Sequence, residues 1–203
     1  TPGTISSGAY ARTFKEIAAQ QGFKGEIQVV NQPALGFANA VDGVEDYVKP
    51  GIVLPRDEYR GPKLGKEEGD INPSIMDRYN FNFAKGEIVY SKMDGEYSRV
   101  QLNSADNYAR FHLVSLVEKH RLSGSKTPMT HIILGCTHYP LLLPKIKDYL
   151  SKKHYKKEQN MKLIFGTTSN RKVEDLQNII DKMKLDIEVL NKTTTGRIKK
   201  IKI

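Results

Sequence analysis

The chain has 203 residues, of which 38% are hydrophobic and 27% charged, with no tryptophan and a formal net charge of +9. That length suits one domain or one and a half, and no apolar run approaches the ~20 residues that span a bilayer, so no membrane partner is expected. A single cysteine excludes an internal disulfide framework and suits a reducing cytoplasm. The lysines concentrate at 152–157 and 192–202 without the interleaved aromatics of a single-strand-binding groove. They are read as a solvated face and a frayed tail, and no nucleic-acid partner is expected. A small acidic ligand also suits the positive field.

Residues 1–4 read as a loop. Its small hydroxyl side chains and Gly3 either converge donors on an anion or simply turn the chain and cap the next helix. Ser6 or Ser7 is expected to cap that helix, which carries Tyr10, Phe14, Ile17 and Ala18 on one face and ends at Gly22 and Gly25. Residues 26–31 are expected as a strand, broken at Gln32-Pro33. Leu35, Phe37, Ala38, Val41, Val44 and Tyr47 then predict a helix to about Val48, despite Gly43.

From Lys49 to about Asn103, prolines and glycines punctuate a charged stretch with little periodicity. Within it, residues 87–90 and 97–102 are expected as short strands, with Asp94-Gly95 between them as a hairpin signal. The stretch reads as a surface insertion carrying a β-hairpin, serving as a lid, a subunit contact or a decoration. Ser104 is predicted to cap a helix over 105–120, with Tyr108, Phe111, Leu113, Val114, Leu116 and Val117 as its apolar face. His112, His120 and His131 have no partner at metal-ligand spacing and are read as packing or surface residues.

Ile132-Ile133-Leu134 reads as a buried strand ending in a sharp turn at Gly135. Cys136 stands at its carboxyl end, and Pro140 opens a helical run over 141–150. In open α/β sheets, reacting groups sit beyond the carboxyl ends of strands. Cys136 would stand there beside backbone N–H groups and His138, which favour a thiolate. The competing readings are a small buried hydrophobe for Cys136 and a satisfied surface or core residue for His138. Beyond the charged segment 151–160, a strand (161–165), a Gly/Thr/Ser turn, a helix through Val173, Leu176, Ile179, Ile180 and Met183, and a last strand (186–190) are expected. Residues 191–203 read as a poorly ordered basic tail. The sum is an α/β fold: an open, mostly parallel sheet with flanking helices, plus an inserted β-hairpin region.

Gly135-Cys136-Thr137-His138-Tyr139-Pro140-Leu141-Leu142 resembles the second catalytic motif of the cofactor-independent glutamate racemases, within the aspartate/glutamate racemase superfamily. Thr1-Pro2-Gly3-Thr4-Ile5-Ser6-Ser7-Gly8-Ala9-Tyr10 is similar to the threonine-rich turn that opens that family's second lobe. The two stretches occur in the family's order, and the resemblance covers Thr1 to about Val48 and Asn107 to about Leu150. It implies that residues 1–150 are one lobe of a two-lobed racemase, interrupted at 49–103 by an insertion that departs from the family's pattern. Because Thr1 falls inside a motif, a first lobe is expected ahead of it.

The resemblance further implies glutamate as substrate and proton transfer at Cα between two cysteines, one per lobe, with no cofactor or metal. Cys136 would be the second-lobe acid/base and His138 its assistant or a substrate contact. Thr137 would donate to the substrate, and Thr1 and Thr4 would lie near its carboxylate. Supply of D-glutamate for peptidoglycan, in the cytoplasm, is the implied biology, with a homodimer as one arrangement. The family's first-lobe Ala-Cys-Asn-Thr type motif is not in this sequence, so the 203 residues alone are not expected to racemise glutamate.

Residues 161–176 also resemble the start of the non-standard purine nucleoside triphosphate pyrophosphatases, where a threonine–asparagine loop and a helical lysine hold phosphates. Matching Lys172 to that lysine puts Ser169 where that family has asparagine. The unit 151–190 is therefore either the racemase's returning strand–helix–strand segment or the beginning of a fused pyrophosphatase. A third reading is a racemase-like module that binds an acidic metabolite without turnover.

Overall fold

The computed structural model describes residues 7–20, 22–25, 27–126, 128–135, 138–139, 143–150, 162–167, 188–192 and 198–201. The chain divides into two units, Thr1–Ser125 and Lys126–Ile203. The span 1–150 expected for one lobe runs across that division. Helices and two separate sheets make a mixed α/β chain.

In the first unit, α1 (Ala9–Gln20) begins where Ser7 Oγ accepts the Ala9 N–H at 3.3 Å. None of its residues is buried, so its apolar face is only partly covered. Residues 27–31 form no strand, contrary to expectation, and have no ladder partner among the described residues. The helix expected to reach Val48 is α2 (Phe37–Val41) alone. Gly43 ends it at φ 71, and a Schellman closure forms as the Val44 N–H reaches the Asn39 carbonyl at 2.9 Å. A left-handed residue at that point directs the chain away from a further helical turn.

The short α3 (Met76–Tyr79) follows a 3-10 turn at Pro73–Ile75. The hairpin is formed as expected, from β1 (Ile88–Met93) and β2 (Glu96–Leu102), antiparallel. Asp94 and Gly95 both have positive φ, 53° and 85°, as a two-residue primed turn requires. The register shifts between Ser91 and Lys92, a β-bulge. The longest helix among the described residues, α4 (Ala105–Leu122), starts at Ser104, whose Oγ accepts the Asn107 N–H at 3.3 Å. Asp106 lies in its first turn, and Lys119, His120 and Arg121 lie in its last, in the sense its macrodipole favours.

Residues 49–103 are not a surface decoration. Tyr59, Ile71, Tyr79, Phe81, Ile88, Val89, Val100 and Leu102 are all buried, as are Tyr108, Phe111 and Val114 of α4. Tyr79 stacks on Phe81 at 4.9 Å and meets Phe111 at 5.6 Å. Asn103 closes the base of the stretch. Its Oδ1 accepts the Lys49 N–H at 2.7 Å, and its Nδ2 lies 3.0 Å from the Lys49 carbonyl and 2.8 Å from that of Gly86.

In the second unit, β3 (His131–Leu134), β4 (Lys162–Thr167) and β5 (Glu188–Lys192) run parallel, and β6 (Ile198–Ile201) pairs antiparallel with β5. Within the basic end, Ile198–Ile201 form β6, and the rest of 193–203 lies outside the described residues. The two isoleucines of β6 flank a lysine pair, and β5 offers the ladder. β3 is covered on one face rather than fully buried: Ile132 and Leu134 are 3% and 4% exposed, but Ile133 is 44% exposed. After it comes α5 (Leu143–Leu150), which buries Ile146 and Tyr149. The helix expected through Val173 and Met183 lies outside the described residues.

Candidate functional site

β3 and β4 pair Leu134 with Phe165, and β4 and β5 pair Thr167 with Asn191. Parallel strands end on one edge, so the backbone leaving β3, β4 and β5 emerges on the same side of this sheet. That edge is where α/β proteins place ligands. The segment that leaves β3 is the Gly135–Leu142 motif.

Of the residues singled out from the sequence, Thr1, Thr4, Cys136 and Thr137 lie outside the described residues, as do Pro140 and the two leucines after it. His138 is described: it is half-buried, past the end of β3 and before α5, and neither it nor Tyr139 stands without a partner. Gly135 is exposed, its φ is not in the left-handed region, and a Cβ there would meet nothing within 4 Å. The sharp turn expected at Gly135 is therefore not made through a positive φ. Glycine instead leaves the backbone open to close approach.

The other polar chemistry lies in the first unit. The Tyr108 hydroxyl stands 3.1 Å from that of Tyr59 and 3.3 Å from the Tyr47 carbonyl, and Tyr59 Oη accepts the Leu102 N–H at 3.2 Å. Burial pushes both phenols up, Tyr59 well above the usual tyrosine value. Both stay protonated near neutrality, which makes them fixed hydrogen-bonding groups rather than bases.

His112, read as a packing or surface residue, is a packing residue: it is 5% exposed and set edge-on to Phe111 at 4.9 Å. Its Nε2 lies 3.1 Å from the Leu35 carbonyl, which can only accept, so Nε2 carries the proton. Nδ1 is buried without a partner among the described residues. Burial lowers the pKa to about 4, against a smaller upward pull from the Leu35 carbonyl. Between pH 6.5 and 4 the unfolded chain binds a proton that the folded chain excludes, so stability falls as pH falls through that window. The contribution is present above pH 6.5 and amounts to about 3 kcal/mol lost by pH 4. Urea unfolding of wild type and His112→Gln at pH 7, 5.5 and 4 checks this: the variant is expected to lose most of the acid slope, whereas parallel curves would exclude His112 as its source.

Among the described residues, no group of three or more histidine, cysteine, aspartate or glutamate side chains is placed to hold a metal ion. No helix among them is long and apolar enough to cross a membrane. Sequence reasoning missed Asn103 and Asn107 as clamps, and it missed the cations Arg56, Lys63 and Arg99, which line a cavity beside β2. The one signal in the sequence was Asn107, a polar residue on the apolar side of α4. Comparison of the chain with protein-family models, with curated proteins and with solved structures gives no match.

Proposed function

We propose that this chain is the second-lobe portion of a cofactor-independent amino-acid racemase that interconverts L- and D-glutamate. The supporting observation is the position of the Gly135–Leu142 motif, directly after a strand of a sheet whose first three strands run parallel. In this reading that sheet belongs to an open, mostly parallel lobe with flanking helices.

Racemisation removes the Cα proton from one face and returns a proton to the other, so two acid/base groups flank the carbon. The Cys136 thiolate takes the proton of one enantiomer as an S–H and gives it back in the reverse direction. His138 and backbone N–H groups near it favour the thiolate. Thr137 donates to the substrate carboxylates and to the charge that builds on the carbanion. The sequence has one cysteine, so the second thiol comes from another polypeptide segment, the first lobe. The reaction requires no metal or pyridoxal phosphate, and its D-glutamate supplies peptidoglycan synthesis in the cytoplasm.

The test is a chiral assay on the protein that joins this chain to its first lobe, with L-glutamate and no added cofactor. D-Glutamate is expected to accumulate to near equality with L-glutamate, and D-glutamate should give the same end point. Absence of conversion in both directions rejects the reading.

A further inference from the structure

A cavity of about 290 Å³ opens in the first unit between residues 55–64 and β2. Arg56, Lys63 and Arg99 line it, against one acid, Asp57. Arg99 Nη2 holds Asp57 Oδ1 at 2.8 Å, and the Asp57 side chain is 90% exposed, so that pair sits at the rim and leaves the wall net positive.

Arg56 is fixed from two sides. Its backbone N–H donates to Oε1 of the fully buried Gln101 at 3.0 Å, and its Nη2 donates to the Glu45 carbonyl. Its Nε is buried and has no partner among the described residues. The Lys63 ammonium likewise has no hydrogen bond or ion pair among the described residues. Tyr59 forms part of the wall, but its hydroxyl is engaged by Tyr108 and Leu102, so its ring and not its O–H faces the remaining role. A positive cavity with an anchored guanidinium has little to reorganise when an anion enters. The planar fork of arginine matches carboxylate and phosphate oxygens.

We propose that this cavity binds a small oxyanion, the carboxylate or phosphate group of a small metabolite, held by the positive wall that Arg56, Lys63 and Arg99 make, with the unpaired Lys63 ammonium as its main donor. The size suits one such group with a few further atoms, below the usual range for larger ligands. The site stands apart from the racemase reading and survives or fails without it.

Calorimetric titration of the intact 203-residue chain at fixed chloride, with inorganic phosphate in one arm and malonate in the other, tests the proposal. Saturable one-site binding is expected in at least one arm, weakened at least tenfold by Lys63→Gln and by Arg56→Gln, and unchanged by Lys85→Gln, a lysine outside the cavity wall. Arg56→Gln also removes the bond to the Glu45 carbonyl. Lys63→Gln breaks no side-chain bond among the described residues and so carries the test if Arg56→Gln does not fold. Binding of phosphate alone, of malonate alone or of both supports the site and names the group it takes. No saturation in either arm, or an affinity unchanged in Lys63→Gln, overturns it.

Discussion

Asn107→Ala is expected to destabilise the chain by about 2–4 kcal/mol, since it removes three hydrogen bonds and strands two backbone groups at once. Asn107 is fully buried. Its Oδ1 accepts the Asn82 N–H at 2.8 Å, and its Nδ2 donates to the carbonyls of Asn82 and Glu87, both at 2.9 Å. These bonds tie the segment that leads into β1 to the first turns of α4. Alanine leaves the Asn82 N–H and C=O without their partner, each costing ~1–3 kcal/mol where water does not replace it, while the Glu87 carbonyl still accepts the Asn103 N–H at 3.0 Å. The small cavity adds to this. Asn107→Asp separates the two directions of bonding: a carboxylate still accepts from Asn82 N–H but faces two carbonyl oxygens. It is expected to be almost as damaging at pH 7. Urea unfolding followed by circular dichroism reads both variants, and a loss under ~1 kcal/mol for Asn107→Ala would mean that water or local rearrangement satisfies these groups.

Cys136→Ala, in the protein that includes the first lobe, is expected to lower glutamate racemisation by about 10²- to 10⁴-fold, the range a positioned acid/base supplies. The methyl group of alanine neither takes nor returns a proton, so inversion then waits on water. The variant separates two events. The remaining thiol still faces one side of Cα, so exchange of the Cα proton with solvent should persist for one enantiomer while inversion is lost. Chiral chromatography reads the inversion and proton NMR in deuterated water reads the exchange. Racemisation at the wild-type rate would remove Cys136 from the mechanism. The thermal unfolding midpoint is expected to be unchanged, which keeps lost activity distinct from lost folding.

The parts of the fold legible in the sequence are those in which two local signals agree. α4 has both a capping serine and a long apolar periodicity, and it forms where both place it. The hairpin has β-branched and aromatic runs on each side of Asp94-Gly95, whose positive φ values close it. Where one signal stands alone, the outcome depends on partners. Ile27, Val29 and Val30 suit a strand, but a strand needs a neighbour to bond with, and none pairs with 27–31 among the described residues. The apolar spacing of 35–48 suits a helix, but Gly43 ends it.

The core contribution of 49–103 is hidden for a different reason. Of its buried residues, Tyr59 and Ile71 stand singly among prolines and glycines, and Tyr79 and Phe81 lie in a short alternating run that forms no strand. Their burial is organised by tertiary bonds from Asn103, which no local pattern announces, and from Asn107, whose only sign is its place on the apolar side of α4. The candidate racemase site is legible as an ordered string of chemically distinct residues around Cys136. The oxyanion cavity is not legible at all, because Arg56, Lys63 and Arg99 have no fixed spacing and meet only through the fold.

The most direct test of the two-thiol account is racemisation of unlabelled L-glutamate in deuterated water, followed at early times. Two bases on opposite faces predict that the D-glutamate formed carries deuterium at Cα, while the remaining L-glutamate stays largely unlabelled. Deuterium entering L-glutamate as fast as D-glutamate forms would point to a single base serving both faces, and no label in the D-product would exclude exchangeable thiol acids; either result contradicts the account.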